Sequence, residues 1–317
     1  MTDLRTLAGQ PVSRFAFGTM QFGGRADASQ SRTMFDACLA AGITNFDTAF
    51  AYTDGNSETL LGEMVRAERD RLLVATKVGY IGGAGAQNIR EQFDISRQRL
   101  DLDMVDLLYL HRFDPDTELS ETMEAFAKLR DAGLIRYIGL SNFAAWQVMK
   151  AQAVAARFGI RVDALQPMYN LAKRQAEVEI LPMCADQEIS VCAYSPLGGG
   201  LLTGKYLAGG RGRLSEDDRY GARYGQGWMQ ETAAGLVEIA RELSVEPAVL
   251  AVAWVAAHRD RPMPIISARD TAQLKPSLAA MDFEMDEALY TLLAALSPAP
   301  PPATDRLEEQ TLGEAGT

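Results

Sequence analysis

Residues 18–24 read Gly18-Thr19-Met20-Gln21-Phe22-Gly23-Gly24, and they follow the first short apolar run of the chain. A doubly wound nucleotide-binding sheet carries a GxGxxG turn after its first strand, because the glycines let the backbone approach a pyrophosphate. The stretch 18–24 does not have that spacing. It therefore favours the other common α/β architecture, a closed (β/α)8 TIM barrel, over an open sheet.

Seven further apolar runs support the barrel, because each is followed by a helical pattern. Helix punctuation between the runs includes Ser29, Ser57 and Ser120 as predicted N-caps and Pro247 in a predicted first turn. The eight predicted strands are residues 15–18, 44–47, 72–77, 105–111, 135–141, 164–168, 190–194 and 263–267.

The domain organisation is predicted to be simple. We expect one domain over residues 1–317, with extended loops at the carboxyl-terminal face of the barrel and no linker. The longest irregular stretch is 198–228, and loops of that length are uncommon unless they are functional. Residues 297–317 begin with a proline-rich segment and are predicted to form an extended or mobile tail.

Composition excludes several functional classes. A net charge of −11 disfavours binding to nucleic acid, and no apolar run is long enough to span a membrane. The first ten residues lack the features of a secretory signal, and the three cysteines have no CxxC spacing, so we expect reduced thiols and a cytoplasmic protein. The only two histidines, His111 and His258, are too far apart in the sequence for an HExxH zinc site, and no metal is expected.

Titratable side chains follow three consecutive predicted strands. Asp47 ends the second strand with Tyr52 just beyond it, Lys77 ends the third, and His111 ends the fourth. In a barrel these strand ends converge on one mouth, where active sites lie. Each residue taken singly has an ordinary structural alternative, but their convergence favours a functional site.

The residue types indicate proton transfer to or from an alcohol or carbonyl oxygen. A free tyrosine has a pKa of about 10, and a nearby ammonium such as that of Lys77 stabilises its phenolate. Asp47 would keep the lysine charged, and His111 could orient a carbonyl. Such a site needs an external hydride source, so a cofactor is implied. The alternative is a hydrolase that uses Asp47 and His111, which would leave Tyr52 and Lys77 without a role.

Several motifs resemble those of the aldo-keto reductase family, over about residues 17–280. Residues 42–49, Gly42-Ile43-Thr44-Asn45-Phe46-Asp47-Thr48-Ala49, together with Tyr52, are similar to the family's second-strand signature. Residues 139–143 are similar to its fifth-strand signature, and residues 194–205 with Gln166 to its cofactor side. Within the family, residues 47–52, 57–59 and 199–205 resemble the aflatoxin-aldehyde and succinic-semialdehyde reductase branch.

The resemblance implies NAD(P)H-dependent reduction of aldehydes or ketones. It makes Tyr52 the general acid, Lys77 and Asp47 the partners that tune its pKa, and His111 the donor that orients the carbonyl. It places the following residues at the cofactor: Gly18, Thr19, Met20, Asp47, Ser141, Asn142, Gln166, Tyr194, Ser195, Pro196, Leu197, Gly199, Leu201, Lys205, Ser267, Arg269 and Gln273.

The loop after the eighth strand departs from the family pattern. Ser267 replaces the usual turn glycine, and Pro276 and Ser277 replace the Glu-Asn pair that commonly contacts adenine. Arg269 and Gln273 remain candidates for contact with a ribose 2′-phosphate, because the planar guanidinium suits a phosphate. The sequence therefore favours NADP(H) over NAD(H), although Asp270 beside Arg269 weakens the charge argument.

The substrate is expected to be a small carbonyl compound. Loop residues predicted to line an apolar, aromatic cleft are Met20, Phe22, Tyr80, Phe113 and Trp228. Aldehydes are expected, with dicarbonyls, carboxylated aldehydes and sugars left open. A second hypothesis is a nucleotide-binding redox sensor or scaffold of the same fold that turns over slowly. The composition leaves a monomer and a homodimer equally open.

Overall fold

Eight parallel strands close into a barrel in the computed structural model, which describes residues 3–306. Neighbouring strands follow chain order, and the first strand pairs with the eighth. The predicted (β/α)8 barrel is therefore confirmed. The strands are β1 (Ala16–Gly18), β2 (Asn45–Asp47), β3 (Leu73–Val78), β4 (Val105–Leu110), β5 (Ile135–Ser141), β6 (Ala164–Gln166), β7 (Ser190–Tyr194) and β8 (Met263–Ile266).

Helices alternate with the strands. Within residues 3–306, no helix combines the length and the apolar character needed to cross a lipid bilayer. The helices are α1 (Ala28–Ala40), α2 (Asn56–Val65), α3 (Ala86–Leu100), α4 (Leu119–Asp131), α5 (Ala145–Ala155), α6 (Ile180–Asp186), α7 (Arg213–Glu216), α8 (Asp218–Tyr224), α9 (Gly227–Glu242), α10 (Pro247–Ala257), α11 (Thr271–Ala279) and α12 (Glu287–Ala294).

Side chains alternate between the two faces of each strand, as the pleat requires. Leu73, Ala75 and Leu107 fill the barrel interior, where they form a small apolar cluster of their own. Val74 and Leu108 point the other way and join the large core between the strands and the surrounding helices. Both faces of β3 and β4 are therefore buried. The same alternation decides which polar residues reach the interior at the ends of the strands.

The predicted helix starts need correction. Asp27 caps α1, accepting a hydrogen bond from the backbone amide three residues on, so Ser29 lies inside the first turn. Ser57 and Ser120 also lie inside their helices, α2 and α4, each of which begins one residue earlier. The position of Pro247 in the first turn of α10 is confirmed.

The carboxyl-terminal segment is tied to the barrel where the tail was predicted to begin. The Arg174 guanidinium donates to the carbonyl oxygens of Ala294, at 2.8 Å, and Ser297, and the Thr232 hydroxyl donates to the Leu296 carbonyl at 2.8 Å. Residues 307–317 of the predicted tail lie outside the described residues. The stretch 198–228 is less irregular than predicted, since it contains α7, α8 and the start of α9.

Candidate active site

The ends of β2 and β3 bring a carboxylate and an ammonium together inside the barrel. Lys77 has the same inward parity on β3 as Leu73 and Ala75, so its side chain enters the interior above that apolar cluster. Asp47, the last residue of β2, is 4% exposed, and Lys77 is fully buried. The two side chains form a short ion pair. This pair lies at the C-terminal mouth of the barrel, which is where active sites are expected.

The Lys77 ammonium reaches three acceptors on the β2 side of the mouth. Besides the Asp47 carboxylate, it donates to the Thr48 carbonyl at 2.7 Å and to the Tyr52 hydroxyl at 3.4 Å. The attraction of Asp47 and Tyr52 raises the pKa of Lys77, although burial, the largest single influence, lowers it. The lysine is therefore a fixed cation beneath the phenol of Tyr52.

Asp47 is held through both carboxylate oxygens. One oxygen accepts from Lys77, and the other accepts from the Gln166 amide nitrogen at 2.9 Å. Gln166 ends β6, so this bond crosses the interior of the barrel. Because neither oxygen can turn away without losing a partner, the carboxylate has one defined orientation.

The phenol of Tyr52 is in its protonated form at neutral pH. Burial raises the pKa of Tyr52, and the neighbouring Lys77 lowers it without cancelling that rise. The sequence predicted the influence of the lysine on this pKa but did not predict the larger, opposite influence of burial. A protonated phenol near a fixed cation can donate its proton to an oxygen that gains negative charge.

His111 follows β4 and lies against the rings of Tyr52 and Tyr80, with centroids 6.0 and 5.0 Å apart. Burial, with the nearby cations Lys77 and Arg112, lowers the pKa of His111 to about 3, so the ring is neutral. Its Nδ1 is buried without a hydrogen-bond partner among residues 3–306. A proton on that nitrogen would have no acceptor, which favours the tautomer that carries its proton on Nε2.

Four further predicted residues form one hydrogen-bonded chain across β5, β6 and β7. The Tyr194 hydroxyl donates to the Asn142 side-chain oxygen at 2.6 Å. The Asn142 amide nitrogen contacts the Ser141 hydroxyl at 3.1 Å, and that hydroxyl donates to the Gln166 carbonyl at 3.1 Å. Asn142 and Ser195, which follow β5 and β7, have φ values of 59° and 58°. Left-handed backbone at a residue other than glycine is uncommon and often marks functional sites.

The turn after β7 combines left-handed glycines with a nearby cation. Gly199 and Gly200 have φ values of 66° and 96°. A side chain on Gly199 would collide with Tyr220, and one on Gly200 would crowd Lys205. Lys205 forms no ion pair with any carboxylate of the described chain, and its ammonium lies over this turn. A compact turn with a cation over it is suited to an anion.

The remaining predicted cofactor residues after β7 contribute backbone. The Ser195 carbonyl accepts from the Gly198 amide at 2.9 Å, and the Leu197 carbonyl accepts from the Gly200 amide at 2.9 Å. Pro196 is buried, and the side chain of Leu201 is in the core at 1% exposure. These residues shape the turn, and the buried side chains of Pro196 and Leu201 are not available to a ligand.

On the β1 and β8 side, Gly18 packs directly against β8. A Cβ atom on Gly18 would lie 2.9 Å from the Ile265 side chain and 3.9 Å from Ser267. The Ser267 hydroxyl is buried without a partner among residues 3–306, as expected for a group that awaits a polar ligand. Thr19 differs from the prediction, because its buried hydroxyl is occupied by Ser57 and by the Asp47 carbonyl. Its backbone amide also donates to the Asp47 carbonyl at 2.9 Å, and the residue is fully buried.

Arg269 and Gln273 lie together at the surface after β8. With the amide oriented by its surroundings, the Gln273 oxygen accepts from the Arg269 Nε at 2.8 Å. Asp270 approaches the same guanidinium at 3.5 Å and caps α11, accepting from the Gln273 backbone amide at 2.8 Å. The exposed guanidinium is thus partly neutralised but faces solvent, where a phosphate could reach it.

The predicted substrate residues divide into two groups. Tyr80, in the loop after β3, is 44% exposed and packs on the His111 ring. Phe113, in the loop after β4, packs edge-on against Phe143, with centroids 5.4 Å apart. Met20 is partly exposed in the loop after β1.

Two predicted substrate residues are misplaced. Phe22 is fully buried against Phe17, 5.6 Å away, because the tight turn that follows β1 directs its ring into the core. Trp228 lines a groove with Lys173 and residues 297–301, and none of Asp47, Tyr52, Lys77 or His111 lines that groove. Neither aromatic ring is therefore in the cleft beside Tyr52.

Sequence reasoning missed Tyr220, which α8 carries to the mouth. Its ring packs on Gly199, and the guanidinium groups of Arg213 and Arg223 lie 5.5 and 5.2 Å from its centroid. A negative charge on Tyr220 would raise the pKa of Tyr52. The signal available in the sequence was the long Gly-, Arg- and Tyr-rich stretch 198–228, which does not specify which tyrosine faces inward.

Comparisons with known proteins agree with this geometry. Over 313 residues the chain is 32% identical to "Uncharacterized oxidoreductase YrpG" of Bacillus subtilis, covering 92% of this chain and 94% of that protein. It is 31% identical over 295 residues to "Probable voltage-gated potassium channel subunit beta" of Arabidopsis thaliana, covering 87% and 89%. It is 40% identical over 195 residues to human "Aflatoxin B1 aldehyde reductase member 2", covering 60% of this chain and 54% of that protein.

The similarity to aflatoxin B1 aldehyde reductases supports the branch that the sequence motifs indicated. The model of the "Aldo/keto reductase family" matches residues 14–297. That range begins just before β1 and extends past α12, so it includes every strand and the residues assembled at the mouth. On this evidence, the chain belongs to the aldo/keto reductase family of oxidoreductases.

Proposed function

We propose that this chain reduces aldehydes and ketones to alcohols with NADPH, and that Tyr52 is the general acid. The observation that carries the proposal is the buried cation next to a protonated phenol. The Lys77 ammonium lies 3.4 Å from the Tyr52 hydroxyl and is itself fixed by Asp47. Family membership supports carbonyl reduction with a nicotinamide cofactor in general terms.

Bound NADPH would supply a hydride to the carbonyl carbon. Tyr52 would transfer its phenolic proton to the carbonyl oxygen as negative charge develops there, and solvent would later reprotonate it. His111 would donate a hydrogen bond from Nε2 to the same oxygen and so orient the carbonyl. Lys77 would stabilise the Tyr52 phenolate that remains after proton transfer.

The proposed cofactor site uses the residues named from the family resemblance. Ser141, Asn142 and Gln166 would hold the nicotinamide carboxamide, and Tyr194 would stack on the nicotinamide ring. The turn from Ser195 to Lys205 would meet the pyrophosphate, supported by its left-handed glycines and its cation. Arg269 with Gln273 would bind the 2′-phosphate, which favours NADPH over NADH.

The proposed substrates are small aldehydes held in a cleft formed by Met20, Tyr80 and Phe113. The Arg112 guanidinium lies over the Tyr80 ring at 4.9 Å and would attract a carboxylate at the far end of a substrate. We further propose a cytoplasmic location, which is supported by the three cysteines, all free and buried. The proposed assembly is a monomer or homodimer that binds neither nucleic acid nor membranes.

The test is the oxidation of NADPH, followed by absorbance, with a panel of aldehydes and ketones. Wild-type protein should oxidise NADPH with at least one of them. Tyr52→Phe should lose most of this activity, by about 100-fold or more, because the proton donor is gone. The same variant should bind NADPH normally in a fluorescence titration. Near-normal kcat in Tyr52→Phe would refute the general-acid role, and failure of wild type to bind NADPH or NADH would refute the reductase.

A second candidate function is a nucleotide-binding sensor or scaffold that turns over slowly. It is favoured by the similarity, over 87% of this chain, to relatives named as probable potassium channel subunits beta. The discriminating measurement compares a single turnover of bound NADPH with steady-state turnover on the best aldehyde. Steady-state cycling at about 1 per second or faster is typical of an enzyme. Tight NADPH binding with cycling orders of magnitude slower would support the sensor.

A further inference from the structure

The segment that follows Tyr52 has an unusual backbone. Thr53, Asp54 and Gly55 have φ values of 46°, 53° and 93°, so three consecutive residues are left-handed. Residues other than glycine avoid this region, and they remain in it only where surrounding structure holds them. The loop that carries the proposed proton donor therefore needs an external restraint.

A buried ion pair behind the loop supplies that restraint. Glu58, in α2, is fully buried, and one of its oxygens accepts from the Arg99 Nη1 at 3.1 Å. The same Nη1 donates to the Phe50 carbonyl at 3.0 Å, two residues before Tyr52. The guanidinium plane also covers the Phe50 ring, 4.6 Å from its centroid. Arg99 thus contacts the loop at Phe50, on the N-terminal side of the turn that carries Tyr52.

Arg99 also contacts the loop on the side where it leaves that turn. A Cβ atom on Gly55 would lie 2.5 Å from the Arg99 guanidinium carbon, so this face of the loop rests directly on the arginine. Arg99 is in the last turn of α3, far from the loop in sequence. One side chain therefore bridges both flanks of the turn that presents Tyr52.

The other oxygen of Glu58 connects the pair to the strand that carries Lys77. It accepts from the hydroxyl of Thr76 at 2.6 Å, and Thr76 immediately precedes Lys77 on β3. The Glu58 carboxylate is therefore joined to the lysine strand on one side and, through Arg99, to the tyrosine loop on the other. Each connection thus ends on a segment that carries one member of the Lys77–Tyr52 pair.

We propose that Glu58 and Arg99 are positioning residues that set the Lys77–Tyr52 distance for proton transfer. The inference rests on the proposed function, since it assigns a role relative to Tyr52 as proton donor. Neither side chain touches the reacting atoms, and both act through the loop and the strand. Stability alone is a weak reason for a buried ion pair, because removing two charges from water offsets much of their attraction.

The chain contains a matched control at the opposite end of the barrel. Asp106, near the start of β4, is also fully buried, and the Arg69 Nη1 donates to it at 2.6 Å. Asp106 also accepts from Arg136 at 2.9 Å, so the control pair matches Glu58–Arg99 in the burial of its carboxylate and in its arginine–carboxylate contact. Neither Asp106 nor Arg69 hydrogen-bonds to Tyr52 or Lys77. Arg69→Lys and Arg99→Lys change the same chemical group in the two places.

The experiment compares these variants in aldehyde reduction. Arg99→Lys should lower kcat by about 10- to 100-fold, the range expected when a catalytic group is misplaced by about 1 Å. Its Kd for NADPH should stay within about twofold of wild type, and the solvent deuterium isotope effect on kcat should rise, because proton transfer becomes slower. In Arg69→Lys, kcat per NADPH-binding site and the isotope effect should be unchanged. Glu58→Gln/Arg99→Met, which leaves no buried charge unpaired, provides a second variant if Arg99→Lys does not fold.

Equal changes of kcat in Arg69→Lys and Arg99→Lys would overturn the inference, as would an Arg99→Lys loss explained entirely by weaker NADPH binding. If wild type shows no turnover, the proposed function fails and the ring resonance of Tyr52 decides the inference separately. That resonance is identified in 13C-tyrosine NMR spectra by its absence in Tyr52→Phe. It should shift and broaden in Arg99→Lys and stay unchanged in Arg69→Lys, and an unchanged resonance in both would overturn the positioning role.

Discussion

Replacing Lys77 with methionine tests how the Asp47–Lys77 pair contributes to both stability and chemistry. Lys77→Met removes the cation but keeps most of the volume of a side chain that is fully buried. Asp47, only 4% exposed, then keeps its 2.9 Å bond from Gln166 and loses the partner of its other oxygen. Breaking a buried ion pair in this way costs about 3–5 kcal/mol. Because one carboxylate oxygen remains bonded, we expect the lower end, about 3 kcal/mol.

The control is the double variant Asp47→Asn/Lys77→Met, which removes both charges. Asparagine can still accept the bond from Gln166, so the double variant should be more stable than Lys77→Met, within about 1–2 kcal/mol of wild type. Equilibrium urea unfolding, followed by circular dichroism and tryptophan fluorescence, measures all the variants including Asp47→Asn. Both Lys77 variants should reduce aldehydes poorly. Free energies of unfolding that add across the two single changes would refute the coupling of the pair.

Three further predictions follow from distances and pKa shifts. Because burial raises the pKa of Tyr52, the kcat of aldehyde reduction should stay constant through neutral pH and decline only above the ordinary tyrosine pKa of about 10. A decline of kcat centred near pH 7 would contradict this. Arg269→Ala should raise the Kd for NADPH much more than that for NADH in fluorescence titrations, and equal losses would remove Arg269 from the phosphate site. Gly139→Ala should destabilise the barrel by about 1–3 kcal/mol in urea unfolding, since its Cβ would lie 2.2 Å from the ring of Tyr109, whereas Gly227→Ala, with nothing within 4 Å, should not.

Fold and strand ends were predictable because they depend on local pattern. The barrel strands were recognisable as short apolar runs, and β5 and β7 match their predicted bounds. Asp47, Lys77 and His111 were found by their places at the ends of those runs. A strand fixes the direction of its side chains by parity, so a sequence position already implies a location in the barrel.

Loop side chains and long-range pairs were not predictable in the same way. Phe22 and Trp228 were assigned to the cleft, but the direction of a loop side chain depends on tertiary packing that no periodic pattern records. Ser57 has the chemistry of a helix cap, yet its hydroxyl bonds to Thr19 and Thr48 at 2.8 and 2.9 Å. The contact between Arg99 and Glu58 joins residues 41 positions apart, and it requires the packing of α2 on α3.

The balance at Tyr52 bears on the direction of the proposed reaction. Carbonyl reduction needs the protonated phenol, whereas alcohol oxidation needs the phenolate. Burial raises the pKa of Tyr52, and Lys77 limits that rise without reversing it. At neutral pH the site therefore holds the form that reduction requires. Lys77 then acts mainly after proton transfer, because its charge stabilises the phenolate that the reaction leaves behind.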